Sequence, residues 1–210
     1  MTYDFFVFPA DGAEDLAAAV RLYESTPERG VLTPGSPVAR FLASLEDALP
    51  DGVLAVPPDG HDAAAEICTT WSDPMANLRA VAGLARPHGL SVLDVQLAAL
   101  YDPRGSLDVS LDTEGGPRLP YVTRSTLATV VGHIEELRYH WVNLTRAPGV
   151  YVQAFRDDDA SWAVEHREAA TDQHFVARTT DPGLVERLLW SWARGDTAWQ
   201  AMLVFAPVAI

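Results

Sequence analysis

The densest run of reactive side chains in the sequence is residues 161–182, "SWAVEHREAATDQHFVARTTDP", which holds two histidines, two glutamates, two arginines and two aspartates. Imidazoles and carboxylates can hold a metal or move protons, provided that they converge. The surrounding pattern decides whether they do. Apolar and polar residues alternate on both sides of "AATD", which is the period of a β-hairpin. A turn over residues 169–172 pairs His166 with Phe175 and Val164 with Ala177. One face then collects Trp162, Val164, His166, Phe175 and Ala177, and the other Glu165, Arg167, His174, Val176 and Arg178. On opposite faces the two histidines cannot share a metal, and a one-residue slip that united them would expose Trp162 or Phe175. Glu165, Arg167, His174 and Arg178 become cross-strand neighbours of mixed sign, contributing roughly 0.2–1 kcal/mol per pair. They also form a candidate contact face for a partner, while His166 is expected at the hydrogen-bonded edge of the core.

The remaining candidates are scattered. His133 and His140 stand two helical turns apart, about 10 Å along an axis, too far for one metal. Glu136 lies four residues before His140, the spacing of a surface pair on a helix. Cys68 sits beside Ile67 in an apolar run and is expected to behave as a small hydrophobe. The run Asp157-Asp158-Asp159 has the charge of a calcium loop without its D-x-D-x-D-G spacing. Asn143-Leu144-Thr145 matches a glycosylation acceptor, a pattern without weight in a chain read as cytoplasmic. No Gly-x-Gly-x-x-Gly, Gly-Lys-Ser/Thr, Gly-x-Ser-x-Gly or His-Glu-x-x-His motif occurs. The expectation is therefore no cofactor, no metal and no catalytic residue. Trp190 lies 200° around a helix from Trp192, on the side of Glu186 and Arg194. That makes it a candidate exposed anchor for a partner.

The elements that must position these residues follow from periodicity and punctuation. Residues 3–8 are apolar at nearly every position and read as a strand covered on both faces. Asp11, with Glu14 at the capping-box position, is expected to start a helix with Leu16, Val20 and Tyr23 inward. Ser36-Pro37 starts a second helix with the stripe Val38, Phe41, Leu42, Leu45 and Leu49. Residues 53–56 read as a short strand and residues 64–71 as a longer one. Asp73-Pro74 opens a third helix through Met75, Leu78, Val81 and Ala85, Gly89 ends it, and residues 90–95 return as a strand. Ser125 is expected to cap a fourth helix whose stripe runs from Leu127 through Val130, Val131, Ile134 and Leu137 to Trp141. A strand over residues 150–155, the hairpin, a helix from Pro182 to Arg194 stopped by Gly195, and a strand over residues 201–205 complete the chain. Thr70-Trp71-Ser72-Asp73-Pro74 and Thr179-Thr180-Asp181-Pro182 echo each other. The shared chemistry of helix starts accounts for this better than duplication of a β-α-β element.

The 210 residues carry 29 acids, 15 arginines and no lysine, for a net charge of −14. A boundary at Gly115-Gly116-Pro117 divides the chain into an acidic unit, 1–115, with 18 acids and 6 arginines, and a unit 116–210 with 11 acids and 9 arginines. Such a surface repels phosphate backbones and disfavours nucleic acid, whereas it accelerates encounter with a basic protein. No apolar run approaches the roughly 20 residues of a membrane span. The acid at Asp4 and the lack of a basic start argue against a secretory signal, and the single cysteine excludes an intrachain disulfide. Together these point to the cytoplasm.

"MTYDFFVFP" followed by a helix pair and "TTWSDPMANLRAVAGLARPHGLSVLDVQ" is similar to small uncharacterised bacterial proteins that begin Met-x-Tyr-Asp. They carry a Trp-Ser strand end, a helix and a Gly-aromatic-Asp-Val strand. Leu93 stands here where those proteins have an aromatic. The second half, with "GVYVQAF" and "VERLLWSWARGDTAW", resembles other uncharacterised actinobacterial sequences. Some such proteins accompany polymorphic toxins, so the resemblance implies an immunity function and assigns no site residues. The expectation is an α+β protein of two small units, each a mixed or antiparallel sheet covered by helices. Its expected role is non-enzymatic binding of a partner, such as a basic toxin, through Trp190, Glu165, Arg167, His174 and Arg178. Two alternatives stand beside it: an enzyme with a site at the domain seam built from His140, Glu136, His166 or Cys68, and a homo-oligomeric scaffold with Trp190 at the self-contact.

Overall fold

The computed structural model describes residues 2–26, 30–136, 140–168 and 173–208. It is an α+β protein whose described strands form two antiparallel sheets, one in each of two compact units, Met1–Arg104 and Gly105–Ile210. The sequence places the division at 115/116, some ten residues later. Gly115-Gly116-Pro117 is the turn after a strand of the second sheet and not a linker, because Leu111 bridges back to Leu119 across it. The charge divides accordingly: residues 1–104 hold 15 acids and 6 arginines, a balance of −9, and the remainder carries −5.

In the first unit β1 (Thr2–Pro9) is the central strand, flanked by β3 (Ala64–Thr70) and β4 (Leu90–Asp94). The outer strands are β2 (Asp59–His61) beside β3 and β5 (Ala99–Tyr101) beside β4. Phe5, Phe6, Val7 and Phe8 are all buried, as the unbroken apolar run requires of a strand covered on both faces. α2 (Pro37–Ala48) and α3 (Pro74–Ala85) cover the face of Phe5 and Val7, and α1 (Leu16–Ser25) packs through Ala19 on Phe6, Phe8 and Leu93. Ser36 and Asp73 cap α2 and α3 by accepting from Ala39 and Ala76 N–H.

Two local expectations fail here. The cap of α1 is Asp15, whose carboxylate accepts from Ala18 N–H at 2.7 Å, while Asp11 lies in the 3-10 turn Ala10–Gly12. The helix therefore starts a turn later and leaves Leu16 exposed. Residues 53–56 make a single bridge, Leu54 to Thr69, where a strand is predicted. Pro57-Pro58 lacks the amide donors to extend it, and the edge strand is β2.

The second sheet runs in order from β6 (Ser110–Thr113) through β7 (Trp141–Ala147), β8 (Val150–Arg156), β9 (Trp162–Glu168) and β10 (Gln173–Thr179) to β11 (Ala206–Pro207). α4 (Arg124–Glu135) and α5 (Pro182–Arg194) pack against each other and cover one face through Leu127, Ile134, Val185, Leu188 and Trp192. Under them lie Leu144, Val152, Ala154, Trp162 and Val164, all at 1% exposure or less. The Arg146 guanidinium sits 4.2 Å from the Trp192 ring centre and Arg124 pairs with Glu186 at 3.7 Å. Gly195, at φ +81°, ends α5 in the left-handed region.

Three expectations are corrected in this unit. Thr123, not Ser125, caps α4, accepting from Thr126 N–H at 3.1 Å. The helix ends at Glu135, and Trp141, placed on its stripe by the 3.6-residue count, opens β7 instead; Leu137 lies outside the described residues. The final strand is Ala206–Pro207, preceded by a 3-10 turn over Ala198–Ala201 that buries Trp199.

The echo between the two helix starts also resolves. α3 joins β3 to β4, parallel strands with β1 between them, whereas α5 joins β10 to β11, which are antiparallel neighbours. The two elements differ in topology, and what the two helices share is proline in the first turn, since only Asp73 accepts a capping hydrogen bond. Among the described residues no helix is long and apolar enough to cross a membrane.

Candidate protein-interaction surfaces

The hairpin register is the predicted one: His166 faces Phe175, Val164 faces Ala177, and His174 faces Arg167. The turn itself, residues 169–172, lies outside the described residues. His166 is buried on the helix side. Its ring stacks on Phe175 at 4.9 Å and 9°, and Trp199 and Phe205 present edges at 4.7 and 4.9 Å. His174 lies on the other side and hydrogen-bonds the Tyr151 hydroxyl. Alternation has separated the two imidazoles.

The face opposite the helices is open among the described residues. Its registers define three rows across the strands. Ser110, Thr145, Tyr151, Arg167 and His174 make the first, Asp112, Asn143, Gln153, Glu165 and Val176 the second, and Glu114, Trp141, Phe155, Ala163 and Arg178 the third. Polar side chains here are paired with one another. Gln153 donates to Glu165 at 2.7 Å, Thr145 donates to Asn143 at 3.1 Å, Arg178 pairs with Asp157, and His140 meets Glu114 at 2.7 Å. Burial raises the Tyr151 phenol above its ordinary value, with the Arg167 charge opposing and Glu165 adding to the rise. Phe155 is 40% exposed beside the half-buried Trp141.

The structure thus brings Glu165, Arg167, His174 and Arg178 together, and leaves Trp190 apart from them. Trp190 is half-buried on α5, which packs on the opposite side of the sheet, so the expectation of an exposed anchor is corrected. Its off-stripe position is real, but α5 is embedded deeply enough for more than its central stripe to be covered. The expected Glu136–His140 pair is likewise replaced by Glu114–His140, because the helix stops before His140 and β6 delivers Glu114 to it.

The first unit presents a different surface. α1 packs on one face of its sheet over β1, β4 and β5 and reaches Ala64 of β3, leaving Asp59 of β2 and Glu66 of β3 exposed at its margin. There Asp59 on β2 is the direct cross-strand partner of Glu66 on β3, and Asp4 on β1 is the partner of Cys68. Asp59 and Glu66 are exposed, and among the described residues neither carboxylate has a hydrogen-bond or ion-pair partner. Asp4 receives Gln96 Nε2 at 3.0 Å on one oxygen, while its other oxygen is buried. Tyr23, in the last turn of α1, borders the group.

The local field is negative enough to show in its neighbours. The Cys68 thiol is pushed up to about 11, first by burial, then by its hydrogen bond to Asp4 and the charges of Asp4 and Glu66. The Tyr23 phenol is raised first by burial, then by Glu66 and Asp4. A thiol so placed is protonated at neutral pH. Cys68 is only partly buried and lies beside acids, where the sequence suggests apolar surroundings.

Sequence reasoning missed this acidic strip because Asp59 carried no strand signal, so nothing placed it opposite Glu66. It also missed the aromatic part of the open face. The alternation of Tyr151, Gln153 and Phe155 in β8 was the available signal. Among the described residues no group of three or more His, Cys, Asp or Glu side chains is arranged to hold a metal ion. Comparison with protein-family models, with curated proteins and with solved structures finds no match.

Proposed function

We propose that this chain is a non-enzymatic binding protein for a basic protein, and that the acidic strip of the first unit makes the contact. One observation carries the reading: Asp59 and Glu66 stand directly opposite each other, next to Asp4, without a compensating cation among the described residues. Like charges in that position destabilise a sheet by a few tenths of a kcal/mol to about 1 kcal/mol. A bound arginine or lysine side chain converts the same repulsion into attraction, and the net charge of −14 steers a basic partner toward it. Neutralising a basic toxin by covering its active surface is one form of this function, in keeping with the resemblance noted for the sequence.

Calorimetric titration with an oligo-lysine peptide at low and at physiological salt tests the assignment. The Asp59→Asn/Glu66→Gln variant is expected to lose most of the affinity. A control variant, Glu46→Gln/Asp47→Asn, removes the same charge from the exposed side of α2 and is expected to retain it. Equal losses in the two variants would show diffuse charge at work and defeat the reading.

A further inference from the structure

We infer that the open face of the second sheet is a self-association surface, and that two copies pack through it face to face with β10 of one copy above β7 of the other. The inference is independent of the acidic strip. Its first support is area. At about 4.8 Å between strands and 3.4 Å per residue, the six strands present roughly 550 Å² on each copy. Two copies then cover about 1,100 Å² before side-chain relief is added. Relief brings the total to the roughly 1,200 Å² at which stable interfaces begin.

Composition is the second support. Trp141, Tyr151, Phe155, Val176 and two arginines share the face. Aromatic and arginine side chains are the residue types enriched in contact surfaces. The polar groups between them already satisfy one another, as Gln153 with Glu165 and Arg178 with Asp157 show. A second copy can therefore cover them without orphaning a hydrogen bond.

The third support is the order of charge across the strands, which selects one two-fold arrangement. Asp112 and Glu114 lie on the β6 side, and Arg167, His174 and Arg178 on the β9–β10 side. A two-fold axis running across the strands stacks Glu165 on Glu165 and Asp112 on Asp112, two like-charge contacts at the interface. An axis parallel to the strands, between β8 and β9, avoids both. It sets Arg178 over Trp141 with Glu114 beside it, Arg167 over Tyr151, and Glu165 over Gln153. Cation–aromatic and charge–amide contacts then replace the repulsions.

Sedimentation equilibrium of the full chain tests this. The wild type is expected to be a dimer in the micromolar range, and Phe155→Asp to dimerise more than about tenfold more weakly. Arg178→Glu, a substitution at an exposed side chain, is expected to weaken the dimer as well, and its far-UV spectrum checks that the sheet is intact. In a Cys68→Ser background, Val176→Cys and Asn143→Cys copies mixed together are expected to cross-link to each other with a short bismaleimide, and Val176→Cys alone is not. A wild-type monomer at high concentration, a dimer indifferent to both face substitutions, or cross-linking of Val176→Cys to itself alone would each overturn the inference.

Discussion

The two sheets treat their charged residues in opposite ways. On the open face of the second sheet, Glu165 receives Gln153, Arg178 meets Asp157 and His140 meets Glu114. The charges are settled within the unit. On the β2–β3 side of the first sheet, Asp59 and Glu66 face each other unsettled. Both surfaces carry exposed strand side chains, so exposure does not distinguish them. What distinguishes them is where the compensating group is to be found. A face already paired with itself offers shape and aromatic contact, whereas a face with unbalanced charge needs a counter-charge from outside. Under the two proposals the second sheet takes a like surface and the first a basic one.

Substitutions can break this contrast at several depths. The largest effect is expected under the helices of the second unit, where Trp162→Ala removes a side chain only 1% exposed and costs about 3–5 kcal/mol in chemical denaturation. A loss under about 1 kcal/mol would mean that the open face, and not this one, holds the core.

The helix starts come next. Asp73 accepts from Ala76 N–H, while Asp181 makes no capping hydrogen bond of its own to α5 and lies 3.5 Å from Arg187 instead. Asp73→Ala is therefore expected to cost about 1 kcal/mol, and Asp181→Ala distinctly less; equal losses would contradict the difference in capping.

The smallest stability effect is also the sharpest for the acidic strip. Glu66→Gln is expected to stabilise the free protein by roughly 0.2–1 kcal/mol, since it removes a repulsion and breaks no hydrogen bond. The same change lowers the Cys68 thiol from about 11, so alkylation at mildly alkaline pH should quicken relative to wild type. An unchanged alkylation rate would mean that the field of Glu66 does not reach the thiol.

The buried Asp94 gives a pH signature confined to the first sheet. Its pKa lies above the ordinary 3.8 because burial disfavours the charge, against the opposing bonds from the Tyr3 hydroxyl and the amides of Leu97 and Gln96. The folded state therefore holds this proton more tightly than the unfolded chain. Stability contributed by the neutral form is present at low pH and is lost as pH rises through the raised value. Denaturation of wild type and Asp94→Asn is expected to diverge in the variant's favour as pH rises above 3.8, and parallel curves would deny it.

Much of this architecture was legible where two local signals agreed. In the hairpin, strict alternation and the need to bury Trp162 and Phe175 fix the register, and the structure keeps it. α5 begins at Pro182 and ends before Gly195 because both residues punctuate the same amphipathic stripe. Legibility failed where signals competed. Trp141 falls at i+14 from Leu127 and fits a helix by count, yet Val142 and Leu144 alternate behind it and belong to β7. β2, the three residues Asp59-Gly60-His61 with no apolar side chain, has no periodicity to read. Its register with β3, which creates the Asp59–Glu66 opposition, depends on tertiary pairing alone. For the same reason the sequence assigned the acidic excess to a region and not to a place.

The strand order carries a consequence for the birth of the molecule. In the second unit every long strand pairs with the next along the chain, so each hairpin from β7 to β10 closes over a short loop as soon as it is made. In the first unit the earliest strand sits in the middle, and Phe6 waits for Glu66 on one side and Leu93 on the other. Until residue 93 has left the ribosome, the unbroken apolar run of the N-terminus has at most one neighbouring strand to pair with. On refolding of the full chain, pulse-labelled hydrogen exchange should accordingly find β1 amides protected after those of β8 and β9, whereas during synthesis the interval most open to aggregation is the one between the emergence of β1 and that of residue 93.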